Sequence, residues 1–297
     1  MNLSSAFQLL ILAAIWGASF IFMRIAVPVL GPTLLIELRV GLAAVFLLLA
    51  AFYLKKNLQI LAHWRHYFFL GLFNSAIPFL LFAYSAQVLT ASLLSILNST
   101  APIWGTVIGA LWFRSKISIR QLIGLLTGVA GVVILLGFDD IRLLDGSTLA
   151  IVASLGAALC YGISSVYARA SAIKQPFNNA HGSMWAATLI ILPLIPFFPA
   201  SSETTTEVIG SVVLLGVLCT GIAYLMYFRL IDEVGAPSAL SVTFLIPMFG
   251  IFWGYVFLDE QIGWHTLMGT VLVITGTIFV TGFSLRKSLF PKALSHE

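Results

Sequence analysis

The chain has 297 residues, 60% of them hydrophobic and only 9% charged, with a net charge of +4. An ordinary soluble domain carries about 25% charged residues, so this composition excludes one and points to a polytopic membrane protein. No connection between the apolar runs is long enough to hold a catalytic domain, and the basic residues are scattered rather than gathered into a patch, which excludes a nucleic-acid partner.

Apolar runs of about 20 residues, the length that crosses a bilayer as a helix, follow one another along the chain. The first, 5–24, has the look of a signal-peptide core but lacks a basic flank, and it has a counterpart deep in the chain, so it reads as a helix. Nine more are placed at 32–53, 67–87, 91–113, 118–138, 149–168, 178–199, 207–228, 236–258 and 263–284. Cys160 and Cys219 each fall inside an apolar run and read as small buried residues, not as a disulfide or a metal site.

The ten runs divide into two sets of five. Leu70–Val133 lies over Leu215–Ile278 at a constant offset (215 − 70 = 145), matching Gly71/Gly216, Ala91/Ala236, Pro102/Pro247, Gly105/Gly250, Gly109/Gly254, Gly124/Gly269 and Gly131/Gly276. The same offset sets Trp16-Gly17-Ala18-Ser19 on Tyr161-Gly162-Ile163-Ser164, and Arg24 on Arg169. The organisation is therefore a first repeat at 1–138, an outer connecting loop at 139–148, a second repeat at 149–284 and a basic tail at 285–297.

Charge sets the orientation. With both termini in the cytoplasm, the cytoplasmic connections hold Lys55, Lys56, Arg65, Arg114, Lys116, Arg120, Arg169, Lys174, Arg229, Arg286, Lys287 and Lys292, and the outer side holds Arg24 and Arg142. The outer loops are acidic, with Asp139, Asp140, Asp145, Glu203, Glu207, Asp259 and Glu260. Because five is odd, the second repeat enters the membrane the other way round. The fold class is all-α: ten transmembrane helices as two inverted five-helix repeats in a cytoplasmic membrane, an arrangement that places a pseudo-two-fold axis in the membrane plane.

Ten helices in two halves, Trp16-Gly17-Ala18-Ser19 in the first, an arginine in the second, and the patterns Ala91…Pro102…Gly109 and Ala236…Pro247…Gly254 followed by Asp259-Glu260 resemble the EamA-type members of the drug/metabolite transporter superfamily. The resemblance implies transport of small metabolites, frequently export of amino acids. Where that family often ends the fourth and ninth helices on an acidic residue, the first copy here has Arg114-Ser115.

Candidates for a substrate site are residues that lipid rejects. Trp16 and Trp104 fall near mid-span, away from the interface where tryptophan concentrates, and read either as packing bulk or as pocket walls, with Tyr161 as the repeat partner of Trp16. Asn74 and Asn98 are mid-membrane amides that need partners, from another helix or from a ligand. Ser19, Ser164, Thr220 and Thr243 join them, although a hydroxyl can also bond to its own helix. Pro102 and Pro247 each deprive a carbonyl of its donor and mark paired kinks or hinges. Glu37 and Arg39 are charges inside the second run. Arg24 is the expected partner of Glu37 in an outer latch, and Arg24, Glu37, Arg39 and Arg169 are the gating or coupling candidates, the alternative being interfacial anchors and backbone bonding.

Gly105-(x)3-Gly109, Gly250-(x)3-Gly254 and Gly124-(x)3-Gly128 have the spacing of close helix contacts, within a monomer or across a homodimer. No cofactor or metal motif and no catalytic constellation is present, which leaves a membrane enzyme on lipid-like substrates unsupported. A passive channel would want a charged ring or a polar stripe. The expected function is alternating-access transport, directed outward, of a small organic substrate; with no cluster of Lys or Arg at mid-span, a zwitterionic amino acid or weakly charged amphiphile is the expected ligand.

Overall fold

The structure, a computed structural model, describes residues 3–137, 145–173, 175–198, 204–234, 239 and 242–281. The expected loop charges Asp139, Asp140, Arg142 and Glu203, the basic Lys174, Ala236 at the start of the ninth run, and the tail 285–297 lie outside those residues. Among the described residues the chain is helical with no strand: α1 (Leu3–Tyr53), α2 (Trp64–Ser85), α3 (Ala91–Trp112), α4 (Ile119–Gly137), α5 (Ser147–Ala170), α6 (Pro176–Phe197), α7 (206–234), α8 (Val242–Leu258) and α9 (Trp264–Thr281). In hydrocarbon every backbone N–H and C=O must be satisfied within its own segment, and the helix is the way an apolar chain of this kind does so. Eight of these helices are long and apolar enough to cross a membrane, and Val242–Leu258 is a shorter apolar one.

Helix α1 is too long for one crossing: its 50 apolar-rich residues would reach about 75 Å at the helical rise, against about 30 Å of hydrocarbon. It breaks at Gly31, where φ is 68° and ψ 165°. The sequence Leu30-Gly31-Pro32 explains the place, since only glycine takes that φ without strain and the ring of Pro32 disfavours helix in the residue before it. The two arms fold back on each other, bringing the Arg39 guanidinium within 3.8 Å of the Met23 sulfur across the joint.

The two halves end and bend their helices alike. Arg114 and Asp259, an offset of 145 apart, both terminate their helices with φ of +50°, so the position keeps its left-handed backbone while the charge reverses. Wider π-type turns interrupt α2 at Gly71–Ala76 and α7 at Leu214–Ile222, again at corresponding positions. Such insertions gather at functional sites, and both border the cavity described below.

Contacts between helices repeat too. A Cβ on Gly17 would lie 3.0 Å from the Gly250 nitrogen, and one on Gly162 would lie 2.8 Å from the Gly105 nitrogen. Helices α4 and α9 meet backbone to backbone, Gly124 and Gly131 against Gly276 and Gly269. The glycine faces are thus consumed inside the chain, and the surfaces turned outward are apolar: Leu122, Leu126, Val129 and Val133 on α4, Met248, Phe252 and Phe257 on α8. That is what a lipid-facing surface requires.

The α4–α9 seam makes a direct test. A methyl group on Gly276 would fall 2.5 Å from the Gly128 nitrogen and 2.6 Å from the Gly124 oxygen, and backbone cannot rotate away as a side chain can. Gly276→Ala is expected to cost about 1–3 kcal/mol of stability, read as a lowered melting temperature in detergent. Gly41→Ala, where nothing lies within 4 Å, is expected to leave it unchanged.

Candidate functional site: a central cavity open at one end

A cavity of about 1420 Å³ runs between the two halves. One end reaches Ser115, Lys116, Arg169, Ile173 and Gln175, residues at or beside the connections that follow α3 and α5. The interior is lined by Trp16, Ser19, Phe20 and Met23 of the first arm, Arg39 of the second, Asn74, Phe79 and Phe82 of α2, Asn98 and Pro102 of α3, Tyr161 and Ser164 of α5, Cys219, Tyr224 and Tyr227 of α7, and Thr243 of α8. No residue of the turns 86–90 or 259–263 lines it.

Those two turns are instead bound shut. The carboxylate of Glu260, 8% exposed, accepts the backbone N–H groups of Ala91 at 2.6 Å and Ser92 at 3.0 Å and the Ser92 hydroxyl at 2.6 Å. It supplies the orphan donors of the first turn of α3 with an anion at the positive end of the helix, while Thr90 caps Leu93. Gly254 leaves room for it, because a Cβ there would collide with the carboxylate. Nearby, Arg24 Nη1 donates to the carbonyl of Ala86 at 2.9 Å.

The open end has its own ties. Asn178 donates to the Asn57 carbonyl at 2.8 Å, Gln175 to Gln59 at 3.1 Å, and His66 lies within hydrogen-bond distance of Tyr167 and Asn179. Ser5 of α1 and Arg229 of α7 both bond to Glu233, and the Arg229 bond first, then that of Ser5, hold its carboxyl below the ordinary range.

Of the residues singled out in the sequence, the cavity brings together Trp16, Ser19, Asn74, Asn98, Tyr161, Ser164, Thr243 and Pro102, with Arg39 in the interior and Arg169 at the mouth. It does not include Trp104, which packs against Gly162 at the α3–α5 contact. Pro247 is buried away from it. The anticipated pair of Arg24 and Glu37 is absent: Arg24 bonds to Ala86, and Glu37, 7% exposed, has a carboxylate oxygen with no partner. Arg39 was expected to bond backbone carbonyls, but its Nε donates to the Thr220 hydroxyl at 3.1 Å and its guanidinium carbon stands 3.7 Å over the Phe79 ring.

The two asparagines differ. Asn74 donates to the Tyr224 hydroxyl at 3.4 Å and accepts from Ser164 at 3.0 Å, tying α2 to α5 and α7. Among the described residues the Asn98 side chain has no hydrogen-bond partner, and it faces the cavity where α3 breaks at Ser99–Thr100. Pro102 has no N–H to return to the Asn98 carbonyl four residues earlier, so both the amide and the backbone there are open to a ligand. Pro247 stands in the same relation to Thr243.

Phe79, Phe82, Tyr224 and Tyr227 are not singled out in the sequence, and Cys219 reads there only as a small buried residue. The repeat offset carried the signal, since Cys219 corresponds to Asn74, Tyr224 to Phe79 and Tyr227 to Phe82, and all six line the cavity. Rings form much of the wall in two groups: Trp16 lies 5.3 Å from Tyr227 and 6.4 Å edge-on to Tyr224, and Tyr161 stacks at 6.2 Å on Phe82. Glu260 was visible as a family feature, but its partner segment lies about 169 residues away and nothing local announces it.

A family model for the EamA-like transporter family matches the chain twice, at residues 3–137 and 148–282. The chain belongs to that family. The two matches start 145 residues apart (148 − 3), the offset of the internal repeat. Among EamA-like relatives, the uncharacterized transporter YoaV of Bacillus subtilis is 26% identical over 92% of this chain and 94% of its own length. A probable amino-acid metabolite efflux pump of Escherichia coli is 24% identical over 93% and 94%. A solved crystal structure shares the fold with a TM-score of 0.66 at 18% identity, covering 95% of this chain and 97% of the other. The protein is therefore a membrane transporter by family, and the names of these relatives point away from an enzyme.

Proposed function

We propose that the protein is a secondary transporter that exports a small amino-acid-like metabolite from the cytoplasm by alternating access. It acts as ten spans in two inverted halves, 1–138 and 149–284, in a cytoplasmic membrane with both termini inside, as a monomer or a homodimer. The observation that carries the reading is the cavity: among the described residues it reaches the connections after α3 and α5 and is not lined by the turns 86–90 and 259–263, and repeat-related residues of both halves line it. Counting the two arms of α1 separately, and α8 as a span, gives the ten. The open end carries Lys116 and Arg169 beside the basic connections, which by charge is the cytoplasmic side. A channel would join both sides at once, whereas the turns 86–90 and 259–263 are held closed by Arg24 and Glu260. The amino-acid assignment is supported by the name of the Escherichia coli relative.

Two measurements test it. In proteoliposomes, transport is expected to saturate and to show counterflow, and flux that rises without limit with concentration would replace this reading with a facilitator. In intact cells, single cysteines at Asn57 and Gln175 are expected to be shielded from an impermeant thiol reagent and one at Gln87 to react. Labelling of Gln175→Cys from outside would overturn the inverted topology.

A further inference from the structure

Resting on the transport reading, we infer that Arg39 is the docking point for the carboxylate of the substrate, and that the site selects small monocarboxylates with an apolar or aromatic body, with no requirement for an ammonium group. Arg39 is 6% exposed, yet no carboxylate of the described residues pairs with it. Its protein contacts are one hydroxyl at Nε, a thioether sulfur at 3.8 Å from Nη1 and the face of Phe79, and Nη2 makes no hydrogen bond. A charge held in the membrane interior is costly unless it is paired or wet. Among the described residues no carboxylate completes this guanidinium, and the cavity it lines gives an outside anion a way to it.

The charge of the cavity has one sign. Arg39, Lys116 and Arg169 line it, and among the described residues no aspartate or glutamate does. Two cations at the mouth draw an anion in, and one in the interior receives it through the paired Nη1–Nη2 edge, the fork that fits a carboxylate. A single interior cation suits a single carboxylate; a dicarboxylate or phosphate ester would bring a second charge with no partner. An ammonium group finds ring faces and the Asn98 amide but no counter-ion, so it adds little. The expected ligand of zwitterionic form is thereby narrowed: its acid end is recognised and its amine end is tolerated.

The test uses the purified full chain in detergent and three matched probes: 3-phenylpropanoate, phenylalanine and phenethylamine, with sodium chloride and a phenyl dicarboxylate alongside. The acid is expected to bind at least as tightly as the amino acid. The amine, lacking the carboxylate, is expected to bind roughly ten- to a hundredfold more weakly, as for loss of a charge-assisted hydrogen bond. Arg39→Gln is expected to erase the preference for acid over amine. If that variant fails to fold, the order of the probes on the unaltered protein decides alone. Tighter binding of phenethylamine than of 3-phenylpropanoate, equal protection by chloride, or a preference for the dicarboxylate would overturn the assignment. Counterflow of amines with no effect of acids would sink this inference and keep the transporter, whereas acid binding without any flux would sink the transporter and keep the site.

Discussion

Glu260→Gln is expected to lower the stability of the protein by on the order of 3 kcal/mol, the range for breaking a buried charged network by removing one partner, and to open the closed end of the cavity. The carboxylate accepts three donors, two of them backbone N–H groups at the first turn of α3. Glutamine looks conservative but is not. Its amide nitrogen must point at donors that the second carboxylate oxygen used to receive, so the substitution replaces an attraction by a clash of like dipoles and removes the charge that suited the helix end. Glu260→Ala, which leaves those N–H groups to water, is expected to be no worse than Glu260→Gln, the reverse of the order that volume alone predicts.

The conformational consequence follows from which segments the carboxylate joins. Glu260 follows α8 of the second half, and Ala91 and Ser92 begin α3 of the first, so loss of the clasp releases one half from the other at that end. A cysteine placed at Ala101, inside the cavity, in a chain whose Cys160 and Cys219 are alanine, reads this out. With Glu260 intact it is expected to react with an impermeant thiol reagent from the open side alone; with Glu260→Gln, from both sides. Unchanged labelling together with an unchanged melting temperature would show that the clasp holds nothing closed. The repeat gives the first half no equivalent, since Ser115 occupies the position of Glu260. That asymmetry puts the clasp at one end of the cavity, while the corresponding Ser115 lines the cavity at the other.

The positions of the helices follow from lipid chemistry and are legible residue by residue. The second run, 32–53, coincides with the second arm of α1, and the boundary at Leu30-Gly31-Pro32 is written in the two residues that forbid a continuous helix. The matched glycines were legible as contact faces, and the structure pairs Gly17 with Gly250 and Gly162 with Gly105. Side-chain direction was not. Trp104 and Asn98 are six residues apart on one helix, so they point about 120° apart; Asn98 faces the cavity and Trp104 packs on Gly162, and nothing local in the sequence says which of the two faces is the cavity's. The π-type turns rotate α2 and α7 in the same manner, and no residue type demands them, because such a turn costs little locally and is selected by what the neighbouring helices present. The Arg24–Glu37 latch does not form for a related reason: Glu37 is close in sequence, but the Arg24 guanidinium bonds to the Ala86 carbonyl at the turn after α2, in keeping with the alternative of a helix-end anchor.

Asn98→Ala and Asn74→Ala are expected to separate ligand binding from architecture, because the two amides sit in one cavity and have opposite hydrogen-bonding lives. Asn98 gives nothing to the protein, so its loss is expected to leave the melting temperature within the roughly 0.5 kcal/mol of a neutral substitution. Alanine even favours the helix. A ligand that bonded to the amide loses that bond, and transport is expected to fall roughly tenfold at low substrate concentration through KM. Asn74→Ala, in contrast, removes the amide that donates to the Tyr224 hydroxyl and leaves Ser164 to the Tyr161 carbonyl of its own helix, loosening the junction of α2, α5 and α7. It is expected to cost about 1–3 kcal/mol and to lower the maximal rate as well, since Asn74 ties the π-type turn of α2 to Ser164 of α5. Ser164→Ala is expected to share part of that stability loss and to show non-additivity with Asn74→Ala, because both remove one bond. If Asn98→Ala transports normally while Asn74→Ala fails, the cavity binds its substrate through Arg39 and the aromatic wall, with the polar break in α3 serving only as a bend. If the reverse is seen, with Asn74→Ala stable and active, the amide bridge is dispensable and the two halves are held by glycine contacts such as Gly162 on Gly105 and by the Glu260 clasp.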